Sequence, residues 1–186
     1  MITSTPSSNR AKHGHFGIGV GILVALFLLE VVPASATTLK ALSIPELAAR
    51  SVAVVRVRVR HQRCEWRRNV IVTVSQVEVL EVLQGEAASG LEVMQLGGQI
   101  EDHAMPVVGS AELFVDEEAV LFLLHNPERP GEYHVTGMSQ GALHVIDGDR
   151  LRWAPTAMLW DGRSLQAPMV RHLSLAELRR QLRGAP

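Results

Sequence analysis

Val54-Val55-Arg56-Val57-Arg58-Val59-Arg60-His61 alternates apolar and charged side chains with a period of two. Val55, Val57 and Val59 point one way and Arg56, Arg58 and Arg60 the other, which predicts a half-buried β-strand. Val70 to Leu83 is a second, longer β run. Its apolar phase changes midway: Val70, Val72 and Val74 share one phase, and Val77 and Val79 take the other. That change predicts a bulge or sharp bend near Ser75-Gln76. Long bent strands of this kind close small barrels.

Working outward, Gln84 to Gly90 reads as a turn and Leu91 to Leu96 as a third strand, ended by Gly97-Gly98. Gln99 to Asp116 reads as a long mixed loop. Ala119 to Leu124 is continuously apolar, as a strand buried on both faces requires. Asn126 to Glu132, with two prolines and Gly131, is a hairpin loop. Tyr133 to Gly137, Ala142 to Ile146 and Leu151 to Trp153 are further strands. Ser43 and Glu46 form a capping box before a short helix, with Pro45 in its first turn. Ser174 and Glu177 repeat the pattern at the C-terminal end, where Leu175, Leu178 and Leu182 form an apolar stripe and Gly184 stops the helix. The expectation is a mainly β chain: a small antiparallel barrel of five to seven strands with short helices at the N- and C-terminal ends. No repeated β–α–β unit is present, which argues against a doubly wound parallel sheet.

The start of the chain carries a different message. Arg10 and Lys12 precede an apolar run from Phe16 to Leu29, and Ala34-Ser35-Ala36 follows. Basic segment, apolar segment and small-X-small site are the order of a cleavable signal peptide. Residues 1–36 are therefore expected to be removed, leaving 37–186 as a single β-barrel domain, secreted or periplasmic. Fourteen helical residues span about 21 Å, short of a hydrocarbon core about 30 Å thick, so no stable membrane span is expected after cleavage. An uncleaved anchor is the alternative. Cleavage takes two of the 18 basic and one of the 19 acidic residues and leaves a net charge of −2. That charge, the few aromatic residues and the export address argue against nucleic-acid binding, which needs stacking aromatics along a positive groove.

Four stretches come in a suggestive order: Pro45-Glu46-Leu47, Val79-Leu80-Glu81-Val82-Leu83-Gln84-Gly85, Glu118 to Leu123, and Tyr133-His134-Val135-Thr136-Gly137. In this the chain resembles small exported bacterial proteins of unassigned function. More distantly it is similar to netrin-like modules and tissue inhibitors of metalloproteinases, which are OB-type barrels. The resemblance covers about residues 45–145 and implies an OB-like fold. Those inhibitors chelate the protease zinc through a disulfide-fixed N-terminal cysteine. Here the expected mature start is Thr37 and Cys64 is the one cysteine, so that mechanism carries over to no residue of this chain.

Three constellations are candidate sites. His61 to Asn69 joins the first two strands and contains Arg63, Cys64, Trp66, Arg67 and Arg68. Trp and Arg dominate interface hot spots, so this loop is the candidate partner-binding surface. Cys64 has no intramolecular partner and is a buried or inert thiol, free, or an intermolecular bridge, with the buried or inert thiol favoured. Gly137-Met138-Ser139-Gln140-Gly141 matches the nucleophile-elbow pattern, and Asp161 and His172 follow in hydrolase order. The following residues read as strand rather than helix, so a turn is favoured there. Glu101-Asp102-His103 could touch a metal, but consecutive residues rarely converge on one ion. His134 and His144 could meet across a hairpin. No catalytic residue, cofactor or metal is assigned. The expected function is an exported, non-enzymatic binding module, with a modulator of an exported protease as one form of it. A small serine hydrolase using Ser139 and a structural accessory domain of the cell envelope are the alternatives.

Overall fold

The computed structural model describes residues 38–184. The predicted signal peptide therefore lies outside the described residues. The chain runs β1 (Thr38–Lys40), α1 (Ile44–Arg50), β2 (Ala53–Arg67), β3 (Val70–Gly85), β4 (Gly90–Leu96), β5 (Gly98–Ile100), β6 (His103–Met105), β7 (Glu118–His125) and β8 (Glu132–Val135). After a 3-10 turn at Met138–Gly141 come β9 (Ala142–Asp147), β10 (Arg150–Trp153), β11 (Met158–Trp160), β12 (Leu165–Gln166), β13 (Arg171–Ser174) and α2 (Leu175–Arg183). The chain is mainly β with two helices, as its patterning predicts. The count of five to seven strands is too low, because the largest sheet alone holds eight, in the order β13-β10-β9-β7-β2-β3-β4-β8. The undercounted strands β1, β5, β6, β11, β12 and β13 are two to four residues long. A period-two pattern cannot be read in so short a run.

β2 lies antiparallel to both β3 and β7, and β3 antiparallel to β4. β8 lies parallel to β4 and also antiparallel to β7. The pairings β2-β3-β4-β8-β7 thus return to β2. On the same edge of β7 that meets β8, residues Ala119–Leu121 pair with β9, and β10 and β13 extend the sheet from there.

Two cores follow from this arrangement. Ala53, Val55, Val57 and Val59 of β2 pack with Val77, Leu91, Val93, Ala119, Leu121 and Leu123 inside the circuit. On the other side Val54, Val120 and Phe122 pack with Leu143, Leu151 and both helices, through Leu47 of α1 and Leu175, Leu178 and Leu182 of α2. β7 therefore sends alternate residues into different cores. That is why 119–123 is apolar without interruption; Leu124, the last residue of the run, is exposed and joins neither core, contrary to the expected burial on both faces.

The predicted bend near Ser75-Gln76 falls at the right level but on the partner strand. Val59 pairs with Val77 and His61 with Gln76, leaving Arg60 of β2 unpaired. Two more register breaks lie between Val54 and Val55 and between Arg56 and Val57. Bulges raise the local twist and help these 15- and 16-residue strands coil.

Local signals set the helix ends. The Ser43 capping box is complete: the Glu46 carboxylate accepts from the Ser43 N–H, and Ser43 Oγ accepts from the Glu46 N–H. At α2 the box is half made. Ser174 Oγ accepts from the Glu177 N–H at 3.1 Å, but the Glu177 carboxylate pairs with Arg180 and Gln181 instead. Ser174→Ala is accordingly expected to cost about 1 kcal/mol and to lower the melting temperature by about 2–4 °C. Glu177→Ala should cost well under half of that, and a larger loss in thermal unfolding would show that the box closes after all.

Candidate functional site

Residues 61–69 are not an open loop. β2 and β3 stay paired to Arg67 and Val70, and only Arg68-Asn69 form the turn. Arg68 takes φ 54° there, in the left-handed region. The pairing persists because the alternation persists, in charge rather than in hydrophobicity. Arg63, Glu65 and Arg67 share one face of β2, and Gln62, Cys64 and Trp66 share the other. The Arg-x-Glu-x-Arg spacing was the available signal for this extension.

On the charged face the side chains are tied together. Arg63 donates to both oxygens of Glu92 at 2.9 and 3.2 Å and to Glu65 at 3.4 Å. Arg67 donates to Glu65 at 2.6 Å and grips Glu132 with both guanidinium nitrogens. Glu132 is 4% exposed and also accepts from the Asn126 amide. Burial alone would raise the Glu132 carboxyl; Arg67 and Asn126 outweigh it and hold the group below its ordinary range. Arg63 lowers Glu92 in the same way, and Arg67 lowers Glu65. Arg67 is thus turned inward, fastening the hairpin to the β7–β8 loop, while Arg68 is exposed and reaches Glu128 of that loop at 3.4 Å. Glu92 and Glu132 come from β4 and β8 and Asn126 from the β7–β8 connection, all distant in sequence, and no local pattern announces them.

The other face is open. Trp66 is 50% exposed and meets His103 of β6 edge-on, with ring centroids 5.9 Å apart. Cys64 is a free, exposed thiol with Sγ 3.4 Å from Thr73 Oγ1. It lines a groove of about 680 Å³ with Met105, Val107, Val108 and Phe114. Val108 and Phe114 are both about half exposed. The 98–105 part of the predicted long loop forms the small β5–β6 ladder that builds one wall.

The remaining candidates are placed as follows. Ser139 sits in the 3-10 turn, buried, and its Oγ accepts from the Thr156 N–H at 3.1 Å. No strand-to-helix elbow surrounds it, since the turn only joins β8 to β9, two strands that lie end to end along one edge of β7 and both run antiparallel to it. Asp161 accepts from the N–H groups of Arg163 and Ser164, and it lines a second cleft together with His172 that Ser139 does not line. His134 pairs opposite Leu124 and Met94, whereas His144 pairs opposite Ala119 and Arg152. The expected meeting of these two histidines is thus prevented, because both β8 and β9 dock on β7 rather than on each other. Glu81 and Glu78 pair opposite Arg56 and Arg58 in register. Arg56 and Arg58 nonetheless choose Glu118, leaving Glu78 to Arg60 and Glu81 to Arg179. Among the described residues no group of three His, Cys, Asp or Glu side chains is placed to hold a metal, and no helix is long and apolar enough to cross a membrane.

No family model, curated protein or solved structure matches this chain. Its function must be argued from the site itself.

Proposed function

We propose that the chain is an exported OB-type binding module that docks a protein partner at the tip of its β2–β3 hairpin. The observation that carries this reading is Trp66, half exposed at the end of a hairpin whose opposite face is fastened by the Arg67–Glu132 pair. A large aromatic held rigidly in solvent loses little conformational freedom on binding, and such residues dominate interface energetics. The groove beside it offers apolar area around Cys64 and Phe114.

The strand circuit supports the OB part. Counted in chain order, its third and fifth strands, β4 and β8, run parallel while the other neighbours run antiparallel. In OB folds the loop between the first two strands and the loop between the fourth and fifth recognise ligands. The corresponding β2–β3 turn and β7–β8 loop are joined here by Arg67–Glu132 and Arg68–Glu128. The basic-apolar-small order of residues 1–36 supports export. An exported protease is one fitting partner.

The test is affinity capture of the protein from its native host, with mass spectrometry of the eluate and of the bait's own N-terminal peptide. The N-terminus should read Thr37. Trp66→Ala should weaken the captured complex by about 30-fold, the effect of a hot-spot loss of about 2 kcal/mol. Phe114→Ala should act in the same direction. A partner retained equally by both variants would place the interface elsewhere.

A further inference from the structure

A second cleft, of about 930 Å³, opens between the β1–α1 connection, the β11–β13 segment and the start of α2. It shares no residue with the Trp66 groove. Its volume lies in the range of small-molecule sites, roughly 300–1,000 Å³. Its lining is mixed: Leu42, Ile44, Trp153 and Leu159 form an apolar part, and charged and amide side chains form the rest. The segment closing one side leaves Trp160, Leu165, Met169 and Val170 exposed, more apolar surface than a folded edge needs.

Its charged groups are unequal in what they leave open. The three acids on the lining are engaged within the chain. Glu46 accepts from Ser43, Asp161 from two backbone N–H groups and Gln166, and Glu177 from Arg180 and Gln181. The three basic side chains are not so engaged. Among the described residues Lys40, Arg171 and His172 enter no salt bridge, and Arg171 lies over the Trp153 ring at 5.4 Å from its centroid. Lys40 and Arg171 thus leave donors facing the cleft beside its apolar residues, while Glu46 and Asp161, held only by neutral groups, keep their negative charge.

We propose that this cleft binds a long-chain carboxylate, its alkyl body along Leu42, Trp153 and Leu159 and its anionic head at Lys40, Arg171 and His172. The apolar wall takes the chain and the unengaged donors take the carboxylate, a charge-assisted contact stronger than a neutral one. The proposal is independent of the hairpin interface, so either can fail alone.

The test is calorimetric titration of the purified protein with dodecanoate below its micelle concentration. Butanoate probes the need for the chain, and dodecyltrimethylammonium probes the need for the anionic head. Saturable one-to-one binding of dodecanoate is expected, at least tenfold tighter than either comparison molecule. Lys40→Ala combined with Arg171→Ala should abolish the preference for the anionic head, and Ala167→Trp, which fills the cleft, should abolish binding. Trp66→Ala should leave it unchanged. The head-group comparison needs no variant, so it stands even if a substitution impairs folding. Equal affinity for both head groups, no saturable binding, or binding indifferent to the cleft variants overturns the proposal.

Discussion

Arg67→Ala is expected to destabilise the protein by about 3–5 kcal/mol, because it strands the buried Glu132 carboxylate without its cation. Glu132 is nearly inaccessible and would keep only the Asn126 amide. The pH dependence gives the sign. In the wild type Glu132 is held below its ordinary value of 4.5. It therefore contributes stability that is complete above that value and is lost as pH falls through the depressed folded one. In the variant, burial is opposed only by the Asn126 amide and the charge of Arg129, and it lifts the carboxyl. The variant's deficit should then be largest near neutral pH and shrink toward about pH 4, where protonation removes the stranded charge. Urea unfolding at several pH values measures both. Replacing the pair together, by Arg67→Met with Glu132→Leu, should cost far less than Arg67→Ala alone. A deficit that stays constant with pH, or a double variant as weak as the single one, would mean that the pair is not what joins the hairpin to the β7–β8 loop.

Phe122→Ala and Leu121→Ala should each be severe, at about 3–5 and 2–5 kcal/mol. These neighbours in one strand face different cores: Phe122 packs toward α1 and α2, and Leu121 lies inside the strand circuit. Both are fully buried. Leu124, three residues past Leu121 in the same apolar run, is 37% exposed, and Leu124→Ala should stay within about 0.5 kcal/mol, as for a surface substitution. Thermal unfolding of the three variants checks the pattern. A mild Phe122→Ala would mean that the helices do not form a genuine second core. A mild Leu121→Ala would say the same of the circuit interior.

The hairpin tip shows how far local pattern reaches. Trp66 and the arginines stand out in the sequence as interface-type residues, and the tip does present Trp66 to solvent. The same residues give no hint that Arg67 and Arg68 differ in role. Arg67 is captured by Glu132, 65 positions away, and Arg68 is left at the surface. Ser139 is the converse case. Its five-residue motif fits a nucleophile elbow letter by letter, but the turn is followed by strand β9 rather than by a helix, and its hydroxyl serves the Thr156 backbone.

By itself the sequence determined the first half of β2, the long β3, the largely doubly buried β7 and the capped helices. Each of these rests on interactions between residues a few positions apart: period-two alternation, an unbroken apolar run, a serine three residues before a glutamate. Only the tertiary structure decided which acid each arginine meets, that β8 bridges β4 and β7, and where the two clefts open. Those depend on which distant strands become neighbours. That choice is made by burying two cores on opposite faces of one sheet, and no local spacing encodes it.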